Sequence, residues 1–214
     1  MTADRLIDRI KAALEAHQPQ VYPALPGRRN HLEAGVLVPL LLEPEVRVLL
    51  TVRARGLRDH GGEICFPGGR PEPDDLDLRA TAEREAREEI GLDSGSFLGR
   101  LSSIPLYTSD YRLVPWVMGV KPQKFRTQPG EVAKLLSVSV VDMLNKPHWD
   151  GIPFEWQGQV HLSPVFDVGE PKMLYGGTAH VFYELLSVIA PVLDCSMPPL
   201  QSGRFAWQDL LGAP

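Results

Sequence analysis

The sequence predicts an α/β protein, an α/β/α sandwich around a mixed sheet. Three observations predict it. Apolar runs of strand length alternate with stretches of helical period, which is the pattern of a sheet covered by helices on both faces. Two of the helical stretches, 78–90 and 178–193, each carry a continuous apolar stripe. The two strand-like runs 35–42 and 46–52 follow each other with only Glu43, Pro44 and Glu45 between them, the spacing of adjacent strands joined by a short turn.

Taken in order, Leu6, Ile10, Ala13 and Leu14 fall at helical spacing, so residues 3–17 are predicted as an amphipathic helix. Pro19, Pro23 and Pro26 make residues 18–29 an extended connector. Pro39 inside the first strand run places that strand at a sheet edge. Residues 63–66 form a short strand stopped by Pro67-Gly68-Gly69, and a loop rich in proline and aspartate runs from Arg70 to Asp77. The next helix ends at Gly91, a natural left-handed cap. Strands are expected at 99–106 and 113–120, a short helix at 131–136, a strand at 137–141 and further strands within 153–168. The final helix begins with Thr178 as its N-cap. No repeat or low-complexity segment interrupts the chain. The expected organisation is an N-terminal helix and connector (1–30), one domain (31–195) and a C-terminal tail (196–214).

Composition narrows the function. The chain has 214 residues, 43% hydrophobic and 23% charged, with a net charge of −5. That is the profile of an ordinary globular domain, and it disfavours a nucleic-acid-coating surface, which needs a basic stripe. Cys65 and Cys195 are far apart in apolar surroundings and are expected to be free thiols in a reducing compartment. No Cys/His cluster suggests zinc. The N-terminal segment is too charged for a signal peptide, no run reaches the length of a membrane span, and Gly212-Ala213-Pro214 is no peroxisomal address. The cytoplasm is the expected compartment, with no membrane and no nucleic acid among the partners.

The chemistry concentrates in Arg84-Glu85-Ala86-Arg87-Glu88-Glu89-Ile90-Gly91-Leu92. On a helix Glu85, Glu88 and Glu89 stand at i, i+3 and i+4 and share one face. Such a cluster is tolerated on a solvated, salt-bridged face, or where a hard cation such as Mg²⁺ or Mn²⁺ neutralises it. Leu78, Ala82, Ala86 and Ile90 form a second, partly small-residue stripe that can press the helix onto a sheet. Arg84 is placed to pair with Glu88. Gly68 and Gly69, between a strand and this helix, let a backbone approach a ligand and offer a carbonyl to a metal.

This stretch resembles the Nudix box, Gly-x5-Glu-x7-Arg-Glu-(apolar)-x-Glu-Glu-x-Gly-(apolar). The second half fits at every position. In the first half, 14 positions before Arg84 stands Arg70 rather than Gly69, and Leu76 occupies the place of the first Glu. The lengthened loop resembles the coenzyme A diphosphatase branch, Gly-Gly-x-x-Asp-x-x-Asp-x5-Thr-Ala-x-Arg-Glu. Gly68, Gly69, Asp75, Thr81, Ala82, Arg84 and Glu85 match it, with Glu72 replacing the first Asp. Upstream, Leu49-Leu50-Thr51-Val52-Arg53 and Leu57 to Pro67, including His60 and Gly62, resemble the signature of the same branch. Weaker echoes occur at Pro129-Gly130-Glu131-Val132 and Tyr175-Gly176-Gly177-Thr178-Ala179.

The resemblance implies a hydrolase that uses Mg²⁺ or Mn²⁺ to cut coenzyme A, or a derivative, into 3′,5′-ADP and 4′-phosphopantetheine or its acyl form. Glu85, Glu88 and Glu89 are then the metal ligands and Arg84 orients them. Either Glu85 or Glu131 is the base. Arg53, Arg58, His60, Gly68 and Gly69 are the expected substrate-binding residues, each with a plainer role as an ion pair or turn former. The rival readings are a Nudix hydrolase of ADP-ribose or another nucleoside diphosphate derivative, and a non-catalytic Nudix-fold nucleotide-binding module. Retention of all three glutamates favours an enzyme.

Overall fold

The computed structural model describes residues 3–156 and 158–211. The elements follow in the order α1 (Ala3–Ala16), β1 (Leu32–Leu41), β2 (Arg47–Arg53), β3 (Ile64–Cys65), β4 (Gly68–Gly69) and α2 (Leu78–Ile90). Then come β5 (Gly95–Arg100), β6 (Ile104–Pro105), β7 (Tyr111–Val120), β8 (Val132–Ser139) and α3 (Val140–Leu144). The chain closes with β9 (Trp149–Trp156), β10 (Gln159–Val165), α4 (Gly176–Ile189), β11 (Leu200–Ser202) and α5 (Trp207–Leu211).

The main sheet is mixed. Its spine runs β3-β2-β1-β7-β5, with β4 on β1, β6 on β7 and β8 on β2. β1 and β7 are parallel, and the other pairs are antiparallel. Alternation along β1 and β2 divides two cores. Val36, Val38, Leu40, Val48 and Leu50 face the larger core, which α1 and α4 cover. Leu37 and Leu49 face a smaller one with Ala82, Ala86 and Ile90 of α2. That is the expected α/β/α sandwich. At Gly35 of β1 sheet and helix lie close together, because a Cβ there would overlap the carbonyl of Leu78. The stripe of Ala82 and Ala86, both fully buried, completes this close approach. A second sheet, β10-β9-β11, adjoins the first, and its β11 comes from the C-terminal segment, paired in parallel with β9.

Several details depart from the sequence expectations. β1 is central, not an edge strand, with neighbours on both sides. Leu37 donates its N–H to the carbonyl of Pro67 (2.8 Å), so Pro39, two residues on, turns its donorless nitrogen to the same side. It falls between the β4 and β2 pairings, where no ladder bond is lost. The expected helix at 131–136 and strand at 137–141 are instead β8 followed by α3. Val132 and Leu136 repeat at a helical interval, but register with β2 from Arg47 to Arg53 decides the segment. The strand expected at 99–106 is divided into β5, which starts at Gly95, and β6. α4 is capped by Tyr175, not Thr178, and begins with Gly176 and Gly177. A side chain at Gly177 would overlap Leu106, so its bareness lets this helix start pack tightly.

Among the described residues no helix is long and apolar enough to cross a membrane. Trp149 is buried, donates to the carbonyl of Met143 (3.0 Å) and packs edge-on against Phe166 and Tyr183, a packing role.

Candidate active site

α2 is built to hold still. Asp77 caps its start, accepting the N–H of Ala80 (2.8 Å). Gly91, at φ 63°, reverses the chain at its end with its N–H on the carbonyl of Arg87 (3.0 Å). Capping residues of these types together stabilise a helix by about 1–2 kcal/mol.

The glutamates divide by environment. Glu89 is 3% exposed, and its Oε2 has no hydrogen-bond partner. Burial pushes its carboxyl up to about 8, with the nearby charge of Glu85 adding to the rise and that of Arg53 opposing it. Glu85 lies against Gly69, where a Cβ would overlap its carboxylate. Burial raises the Glu85 carboxyl too, with Arg84 opposing and the charges of Glu88 and Glu131 adding. The Glu88 side chain is 55% exposed and pairs with Arg84 (3.2 Å). The shared face is therefore occupied unequally: Glu85 and Glu89 lie inward and Glu88 at the solvent rim. Among the described residues no three acidic, histidine or cysteine side chains close into a ready-made metal cage. An orphaned, buried carboxylate oxygen beside a second carboxylate fits a hard cation that completes its shell with water and phosphate oxygens.

Arg84 is the hub at the helix N-terminal side. Its Nε and Nη2 bind the two oxygens of Asp75 (both 3.1 Å), and Nη2 also donates to the carbonyl of Arg70 (3.0 Å). Nη1 reaches Glu85 (3.1 Å) and Glu88. Asp75 further accepts the N–H of Glu72 (2.9 Å) and the hydroxyl of Thr81 (2.9 Å). The Arg84 guanidinium, with these further bonds, holds the Asp75 carboxyl down to about 2, and the bonds in turn raise Arg84 further above its ordinary value. The lengthened loop is thus closed on α2 by a side-chain lock. Leu76, beside it, is 96% exposed and takes no part.

Other elements approach from two sides. Arg53, at the end of β2, has a buried Nε without a partner, and its charge acts on Glu89, Cys65 and His60. Cys65 contacts the hydroxyl of Thr51 (3.1 Å), and burial pushes its thiol up to about 11, so this free thiol is a packing group. His60, at φ 60°, bonds Glu63 (3.0 Å) within its turn, and Arg58 is exposed nearby. Across the helix end, Gln128 donates its N–H to the carbonyl of Glu89 (2.9 Å), and its own side chain accepts the N–H groups of Gly130 and Glu131. Through this turn Glu131, expected as a helix start, is carried on the loop entering β8, exposed but close enough for its charge to act on Glu85 and Glu89.

Sequence reasoning gave Asp75 no role, although its spacing to Thr81 and Arg84 was in view. It missed Gln128, whose contacts are mostly main-chain. It also missed the hydroxyl of Tyr175 on Glu63 (3.1 Å), a partner 112 residues away. Thr178 lies within the first turn of α4, not at its cap.

The NUDIX domain model matches residues 31–156. Two curated relatives, each described as an uncharacterized Nudix hydrolase NudL, are 33% identical to the chain. The one from Photorhabdus laumondii aligns over 73% of this chain and 84% of its own. The one from Yersinia pestis aligns over 73% and 79%. Among solved structures, a MutT/nudix family protein from Enterococcus faecalis is similar in fold, with a TM-score of 0.50 at 14% identity, over 82% of this chain and 66% of that one. With a family match over more than half its length, a three-glutamate helix and a glycine loop packed against it, this chain belongs to the Nudix hydrolases, enzymes that act on phosphoanhydride bonds.

Proposed function

We propose that the chain hydrolyses the diphosphate bond of coenzyme A or its derivatives, giving 3′,5′-ADP and 4′-phosphopantetheine or its acyl form. The observation that carries this reading is the lock in the lengthened loop. Asp75 stands where the coenzyme A branch has aspartate, and it ties the loop to Thr81 and Arg84. The longer loop therefore has a purpose-built closure instead of being an irregular insertion. The Leu49 to Pro67 run supports the same branch, and its Arg53 ends beside Glu89.

Glu85, Glu88 and Glu89, with the carbonyl of Gly69, are assigned to Mg²⁺ or Mn²⁺. Such a cation, when bound, neutralises the diphosphate and lowers the pKa of the attacking water. Arg84 keeps Glu85 and Glu88 in position. Arg58 and His60, both exposed, are assigned to the substrate, and Gly68 and Gly69 to close approach of the diphosphate. Glu131 is assigned as the base: it is exposed and has no ion-pair partner among the described residues, whereas Glu85 is engaged by Arg84. Water forms a bond to one phosphorus, its proton passes to Glu131, and the bond from that phosphorus to the bridging oxygen breaks. The other phosphate leaves with the electron pair. Residues 31–195 are taken as the hydrolase domain, flanked by 1–30 and 196–214, acting in the cytoplasm on a small molecule.

Coenzyme A and ADP-ribose, each assayed with Mg²⁺ or Mn²⁺ and the products identified by mass, test the reading. A higher kcat/KM for coenzyme A, with 3′,5′-ADP released, is expected. A higher value for ADP-ribose removes the coenzyme A reading and leaves a Nudix hydrolase of another substrate.

A further inference from the structure

Residues 167–175, between β10 and α4, include none of the residues assigned to the metal or the diphosphate, yet they are tied to elements beside that site. Phe166 and Leu174 exchange backbone hydrogen bonds at the base (both 2.9 Å). Glu170 pairs with Lys134 of β8. Tyr175 donates to Glu63, and Lys172 donates its ammonium to the carbonyl of Gly61 (3.3 Å). The segment is a strap laid on the loop that leads away from Arg53, and hence from Glu89.

Three features of this contact suit a ligand better than a structural tie. First, Lys172 has no carboxylate at ion-pair distance among the described residues. The nearby Glu63 commits its two oxygens to Tyr175 and His60. Second, Gly62 carries no side chain where the Lys172 ammonium and the Arg55 stem approach. A Cβ there would lie 3.5 Å from Lys172 Nζ and 3.7 Å from Arg55 Cγ. Third, in a chain of net charge −5, Arg53, Arg55, Arg58 and His60 fall within eight residues of the loop that Lys172 reaches; its acidic neighbours are Asp59, Glu63 and Glu131, the last bonded through its carbonyl to Ala54 (2.8 Å). Two cationic side chains against a glycine that leaves room beside them suit a compact polyanion such as a phosphate monoester.

We propose that Lys172 and Arg55, whose side chains both approach Gly62, hold a phosphate monoester of the substrate that is not itself cleaved. For coenzyme A this is the 3′-phosphate of the ribose. The assignment rests on the coenzyme A reading for its ligand and on the strap for its residues. Arg53 is not available for this task, because its Nε is buried beside the glutamates. Lys172 lies outside the Leu49 to Pro67 signature, so this part of substrate choice comes from a region more than 100 residues further along the chain.

The test is equilibrium binding of 3′,5′-ADP and of 5′-AMP, by calorimetry, to the full chain and to Lys172→Ala, Lys172→Arg and Arg55→Ala, alongside the coenzyme A assay. The full chain is expected to bind 3′,5′-ADP about 10- to 150-fold more tightly than 5′-AMP, the range of a single charge-assisted contact. Lys172→Ala and Arg55→Ala should each shrink that ratio, and Lys172→Arg should retain most of it. A variant that loses both ligands equally, or a ratio that no variant changes, or a full chain without the preference, overturns the proposal. Coenzyme A turnover with a ratio independent of Lys172 and Arg55 leaves the substrate reading standing and removes this site. A Lys172-dependent ratio without coenzyme A turnover does the reverse.

Discussion

At its N-terminal end α2 is held by side chains; at its C-terminal end it is held mainly by main chain. The first end depends on Asp75, which gathers Arg84, Thr81 and the N–H of Glu72. At the second, the N–H groups of Arg126 and Gln128 reach the carbonyls of Ile90 (3.0 Å) and Glu89 (2.9 Å), and the Gln123 side chain reaches that of Gly91 (2.8 Å). Both ends serve the same carboxylates. They differ in how many of their bonds a single substitution can remove. Exchanging one carboxyl at the first end undoes most of the lock, whereas truncating a side chain at the second leaves the two backbone bonds in place.

The largest expected effect lies between the ends. Glu89→Gln should lower kcat at least about 100-fold, the usual scale for losing a charge-stabilising group. Turnover near the wild-type value at saturating Mg²⁺ or Mn²⁺ would mean that the two ends position something else.

Asp75→Asn should come next, lowering activity about 10- to 100-fold, as losses behind metal ligands commonly do. It also has a pH signature. The Asp75 carboxyl is held down to about 2 from an ordinary 3.8. The stability it contributes is therefore fully present above pH 3.8 and lost as pH falls through 2. The melting temperature of the wild type should fall more steeply over that window than that of the variant. Parallel curves, with activity retained, would show that Arg84 keeps its place without Asp75.

Gln128→Ala should have the smallest effect. It removes the side-chain acceptor for Gly130 and Glu131 but leaves the backbone bond to Glu89. A 2- to 10-fold fall in kcat, about the worth of one neutral hydrogen bond, is expected. A loss greater than that of Asp75→Asn would reverse the comparison between the ends.

The same contrast explains what could be read from the sequence. α2 was legible from Leu78 to Ile90 because its signals are local: a four-residue apolar stripe and a terminal glycine, to which the structure adds the Asp77 cap. The two main strands were legible as contiguous apolar runs. The loop over the C-terminal end and the β8 that follows it were not. Val132 and Leu136 satisfy a helical interval, and only pairing with β2, some 80 residues earlier, makes the segment a strand. Pro39 misled because a central strand left unpaired on one side for a few residues bears the same local mark as an edge. The glutamates were identified as a set, but their unequal burial depends on Gly69 and the incoming loops, which no helical spacing reveals.

The connector before β1 has a further consequence. Asn30, 1% exposed and at φ 43°, donates its side-chain amide to the carbonyls of Leu106, Ser109 and Tyr111 and accepts the N–H of Leu25. Its own carbonyl and that of Tyr22 receive the guanidinium of Arg112, itself 8% exposed. The match to the domain model starts at residue 31, one residue past this junction. A shortened protein cut at that boundary would strand a buried positive charge and open the turn that leads into β7, the parallel partner of β1. The boundary of similarity and the boundary of the foldable unit are therefore different places on this chain, and recombinant fragments should start upstream of Tyr22.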